Sequence, residues 1–109
     1  MRKLRFIVDG LSLKQDPACS FDGLFPTPNQ DIEAIFTFSK DWDGLPRVVG
    51  FYSMLGKEHP PQIIDEDGRC IIPPEALNLP AFKLQVLGVI RGKTMTTNML
   101  TVYQKGGRV

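Results

Sequence analysis

Few residues of this 109-residue chain could do chemistry. His59 is the one histidine and follows Glu58, so an acid–base pair is the reaction the two could serve. No nucleophile, second base or oxyanion donor accompanies them in the sequence, and Gly56, Pro60 and Pro61 break the pattern over residues 55–62. Cys19 sits in a proline-rich stretch and Cys70 in an apolar run, and the sequence leaves open whether they are bridged. Two distant cysteines and one histidine fall short of a zinc ligand set. Dinucleotide, P-loop and serine-hydrolase motifs are missing too. The chain therefore reads as non-enzymatic, without metal or cofactor.

Thirteen Lys and Arg against twelve Asp and Glu leave a formal charge of +1. Such a balance provides no global field to steer nucleic acid or an anionic membrane, so neither is expected as a partner. No apolar run approaches the roughly 20 residues that span a bilayer, and charge returns at Asp9 before a signal-peptide core is complete. A soluble protein without a standard export signal is expected. With 42% apolar and 23% charged residues, the chain can bury one core. One domain over residues 1–104 is predicted, with 105–109 as a flexible tail.

The elements that would position any site are strands. Leu4, Phe6 and Val8 alternate with polar neighbours, and Asp9-Gly10 supplies a turn before Leu11 and Leu13. The resulting hairpin carries Arg2, Lys3, Arg5 and Lys14, which suit either a phosphate-binding patch or a solvated edge that discourages further strand pairing. Residues 16–30 are rich in Pro, Gly, Asp and Asn, so a long loop is expected, yet they include Phe21, Leu24 and Phe25. Those side chains either fold back over the core or form a contact surface for another chain.

The centre of the chain, residues 32–51, opens as a strand with Ile32, Ala34, Phe36 and Phe38 on its core face. It breaks around Trp42, Asp43, Gly44 and Pro46, then resumes as a strand over residues 47–54. A lone Trp could stack on a sugar or base; between turn residues and strands it more often plugs a core. Asp67-Gly68 gives the strongest hairpin signal, between apolar runs at 62–65 and 69–72. Pro73, Pro74, Glu75, Ala76 and Leu77 suit one helical turn. Strands follow over 82–90 and 94–104. About eight short strands and scarcely a helix predict an all-β fold, a single antiparallel β-sandwich of immunoglobulin-like or jelly-roll-like type.

Three blocks, F-T-F-S-K-D-W-D-G-L-P-R-V-V-G-F, then D-E-D-G-R-C-I-I-P-P-E-A-L, then F-K-L-Q-V-L-G-V-I-R-G-K-T with a later T-T-N, resemble a family of small structural proteins of tailed bacteriophages. The family includes capsid-decoration, head-fibre and tail or baseplate components whose N-terminal β-sandwich attaches to the particle. The positions carrying the resemblance are Phe36, Phe38, Ser39, Trp42, Asp43, Gly44, Leu45 and Phe51, then Asp67, Gly68, Cys70, Ile72, Pro73 and Glu75, then Val86, Gly88, Thr97 and Asn98. Pro46-Arg47 and the loop at 21–28 depart from the family pattern. The resemblance implies a virion protein made in the bacterial cytoplasm, whose partners are other virion proteins and copies of itself, trimers among the assemblies. Phe21, Leu24, Phe25, Arg2 and Arg5 are then the candidate contact residues. The second reading is a phage-encoded binding module for a carbohydrate or a host protein, with Trp42 or Tyr52 as its aromatic platform.

Overall fold

The computed structural model describes residues 1–27, 29 and 31–104, with the backbone alone at Ile90. The strands are β1 (Arg2–Asp9), β2 (Ser12–Gln15), β3 (Ile32–Phe38), β4 (Arg47–Ser53), β5 (Glu58–Ile64), β6 (Arg69–Ile71), β7 (Ala81–Ile90), β8 (Lys93–Thr96) and β9 (Leu100–Tyr103), with one short helix, α1 (Pro74–Leu77). A four-stranded sheet, β2-β1-β3-β6, packs against a five-stranded one in which β5-β4-β7-β8 are neighbours and β9 joins β7. This is the all-β sandwich expected from the turn spacing. One pair, β1 with β3, runs parallel. The connection after β2 carries the chain past β1 to its far side, so β3 leaves in the direction of β1.

The alternating residues make the core. Leu4, Phe6, Val8, Ala34 and Phe36 from one sheet meet Val49, Phe51, Phe82, Leu84 and Val86 from the other, all buried in a single hydrophobic cluster with Trp42. Ten well-buried aliphatic and aromatic side chains of this kind contribute on the order of 2 kcal/mol each against exposure, which is what offsets the entropy of ordering the strands. Helix α1 closes the edge of this core with Ala76 and Leu77, its N-terminus preset by Pro73 and Pro74.

Three local expectations are corrected. Residues 55–62 do not simply interrupt the strands: β5 starts at Glu58 and runs through Pro60 and Pro61. It is an edge strand paired with β4 alone, where a missing N–H on the open side costs no ladder bond, and a register shift between Val49 and Phe51 takes up the irregularity. The turn at Asp65–Gly68 forms as expected, closed by Gly68 N–H donating to Asp65 O at 3.0 Å, but its flanks belong to different sheets. The flanks bond once across it, Asp65 N–H donating to Arg69 O at 3.0 Å, and then part, because β5 finds its partner in β4 and β6 in β3. The last strand divides into β8 and β9 around Thr97 and Asn98. The buried Thr97 hydroxyl accepts Val86 N–H at 3.0 Å, replacing the ladder bond there. The proposed tail at 105–109, and Pro28 and Gln30 of the long loop, lie outside the described residues.

Candidate functional site

The Trp corner is a clasp. Residues 40–42 form a single 3-10 turn that drops the indole into the core with no exposed surface. Trp42 Nε1 donates to Gly10 O at 2.8 Å, and Gly10 N–H donates to Ser39 Oγ at 2.9 Å. The corner therefore grips both polar groups of the β1–β2 turn, satisfying donors that burial would otherwise strand. Gly88 on β7 lets the indole approach: a Cβ there would stand 2.7 Å from the ring. Asn98, between β8 and β9 of the five-stranded sheet, makes the matching contact to β2, its Oδ1 accepting Leu13 N–H at 2.7 Å and its Nδ2 donating to Leu13 O at 3.2 Å. Phe36, Phe38, Asp43, Gly44, Phe51, Gly68 and Pro73 likewise sit at packing, turn or cap positions.

The candidate contact residues of the long loop are mostly used internally. Leu24 is buried, and Phe21 sets its ring edge-on to Phe6 with centroids 5.5 Å apart. Arg2 holds the loop down by donating through Nη2 to Ser20 O at 3.1 Å and Asp22 O at 2.7 Å. Of the five, Phe25, 52% exposed, and Arg5 are left facing solvent. Phe21 and Leu24 thus form a lid on the core, and of the loop's large apolar side chains Phe25 is the one that remains on the surface.

Two features of the surface stand out. The first is a cleft at the Trp end. An apolar hollow of about 460 Å³ lies between residues 44–48 and 63–66, and a polar one of about 250 Å³ lies between Phe36, Phe38, Asp43, Glu66 and Asp67. Arg47 borders both. Its guanidinium lies 4.3 Å from the Phe38 ring centroid and donates to Trp42 O at 2.9 Å, while its buried Nε finds no hydrogen-bond partner among the described residues. The second is an apolar row on the outer face of the five-stranded sheet. Val48 stands between Ile63 and Leu87 in register, and Val89 continues the row along β7. Ile63 is 80% exposed and Val89 53%. Sequence reading missed this row because the pattern of β5 is broken by its prolines. The Ile63-Ile64 doublet beside them was the available signal, since alternation must turn one of the two outward.

The acid–base pair considered above does not form. His59 stands opposite Phe51 and Glu58 opposite Tyr52, so the two point to opposite faces of β5 and cannot act as an acid–base pair. Both cysteines are free. Burial, with smaller contributions from Asp65 and then Glu33, pushes the Cys70 thiol up to about 12. A thiol-specific reagent at pH 8 should therefore titrate Cys19 and reach Cys70 only after unfolding. The same shift gives a sign to alkaline stability. An unfolded Cys70 ionises near 9.0 and the folded one near 12, so the unfolded state holds fewer protons in between and stability falls as pH rises through that window. The slope from one proton is at most ~1.4 kcal/mol per pH unit. Urea midpoints of wild type and Cys70→Ala measured from pH 8 to 11 should diverge above pH 9, wild type losing more; parallel curves would contradict the shift.

Comparison with protein-family models, with curated proteins and with solved structures finds no match to this chain.

Proposed function

We propose that this sandwich is a non-enzymatic assembly module of a bacteriophage particle, acting through protein–protein contacts. The observation that carries the reading is the apolar row Ile63, Val48, Leu87 and Val89 across β5, β4 and β7, exposed at Ile63 and Val89 and half-buried between them. Apolar side chains aligned over three adjacent strands are costly to leave in water, and a partner surface that covers them relieves that cost. The setting rests on the resemblance of three sequence blocks to phage structural proteins. In this chain they build the clasp, the sheet-crossing turn and the β7 strand.

The binding-module reading is weaker. The Trp42 ring it needs is in the core with its N–H already bonded, and the Tyr52 ring lies over Gly50 on the sheet face. Immuno-electron microscopy with an antibody to the purified chain tests the proposal on particles of the phage that encodes it. Labelled particles are expected, and an Ile63→Glu, Val89→Glu variant should be incorporated at least ~10-fold less, as loss of buried apolar contact at an interface centre predicts. Unlabelled particles, or full incorporation of the variant, refute the reading.

A further inference from the structure

The outer face of the four-stranded sheet and the cleft at the Trp end carry opposite charge. On that face, strand register sets Lys3 beside Glu33 and Ile71, Arg5 beside Ile35 and Arg69, and Lys14 beside Ile7 and Thr37. Four cations thus surround a diagonal of three isoleucines, with Glu33 among them and two carboxylates at the margin: Asp9, two residues beyond Ile7 on the same face, and Asp16, whose N–H donates to Arg5 O at 3.0 Å. Glu33 meets Arg69 at 3.5 Å, so the face keeps an excess of one positive charge. At the cleft the balance reverses: Asp43, Asp65, Glu66 and Asp67 border the two hollows, and the cation there, Arg47, is stacked on Phe38 and bonded to Trp42 O. None of these four carboxylates belongs to an ion pair among the described residues. Unpaired like charges raise each other's energy, so each patch is relieved by a surface of opposite sign.

We infer that the chain associates head to tail, the acidic cleft of one copy receiving the basic sheet face of a second copy. The long Lys3 and Arg5 side chains can reach the polar hollow of about 250 Å³, where carboxylates await a donor. Ile7 and Ile71 beside them meet the apolar wall of Leu45, Pro46 and Ile63. Because the two surfaces differ, the contact is heterologous, and repetition closes a ring or extends a filament. The inference rests on the assembly reading above, but its test uses purified protein alone. Failure here leaves particle labelling to judge that reading separately.

Sedimentation velocity on the wild type at low salt should show a mass rising with concentration above the 12.2 kDa monomer. Salt at roughly 0.5 M should weaken the association by about 10-fold or more, since the screening length drops to a few ångströms. Lys3→Glu with Arg5→Glu gives one variant, and Glu66→Lys with Asp67→Lys another; all four positions are exposed, so both should keep the wild-type circular dichroism. Each alone should stay monomeric. An equimolar mixture should associate again, because the intact cleft of the first meets the intact basic face of the second. A monomeric wild type at low salt, a single variant that still associates, or a mixture that stays monomeric overturns the inference.

Discussion

Replacing Trp42 by alanine should cost the protein about 3–5 kcal/mol, within reach of the whole stability of an ordinary domain. The indole has no exposed surface, so its removal opens a cavity that the strands on either side cannot close. It also ends an aromatic series: Trp42 lies 5.4 Å from Phe38, Phe38 6.1 Å from Phe36, and Phe36 is stacked at 5.1 Å on Phe6, centroid to centroid. Loss of the first ring therefore loosens Phe38 and, through it, the platform under Arg47. The Gly10 carbonyl loses its donor as well, adding roughly 1–3 kcal/mol if water cannot replace it. Urea denaturation followed by circular dichroism reads the total. Trp42→Phe separates the parts, since it keeps most of the bulk and drops the hydrogen bond; a loss below about 1 kcal/mol in both variants would show that the corner is not the plug described.

The second large effect is expected at Gly68. Its φ is +81°, a region that costs an L-residue roughly 1–2 kcal/mol, and a Cβ there would fall onto the Phe36 carbonyl oxygen. Both partners are backbone, so neither can rotate away. The pair is held flush by Phe36 N–H donating to Gly68 O at 2.7 Å, and an alanine must push β6 off β3 to fit. Gly68→Ala should lower stability by about 3 kcal/mol in all, combining backbone strain and overpacking. Gly56→Ala is the control: its φ is +91° but nothing lies within 4 Å, so backbone strain alone applies. Equal losses at the two sites would contradict the close approach. An unchanged urea m-value in both would keep the comparison one of stability.

Much of the fold was legible because its signals are local. The alternation in residues 32–38 assigned Ile32, Ala34 and Phe36 to the core, while Phe38 on the same face is only partly buried and Ile35 on the other is covered; Asp9-Gly10 marked a turn whose glycine does adopt positive φ. Pairing across sheets was not legible. The turn at residues 65–68 reads as a hairpin because the sequence of a tight turn carries no record of which neighbour each flank will find. The same limit hid the working surfaces. Arg69 joins Arg5 only through the β1–β3–β6 register, and Ile63 joins Leu87 only through β4. Conversely, the apolar loop at 21–25 invited an interface reading because its composition cannot distinguish a lid from a contact. The bonds from Arg2 to the loop carbonyls decide in favour of the lid for Phe21 and Leu24.

The interleaving of the sheets has a consequence for how the chain comes apart. The four-stranded sheet gathers residues 2–15, 32–38 and 69–71, while the five-stranded sheet takes 47–64 and 81–103. Neither is a continuous piece of chain, so no single cut releases one sheet intact. Sheet-forming contacts of the first sheet wait on β6, which is synthesised only after β4 and β5 of the second. Loss of either layer therefore strands part of the other, which makes melting an all-or-none event and gives folding a large non-local component, slower than a chain of consecutive hairpins of the same length.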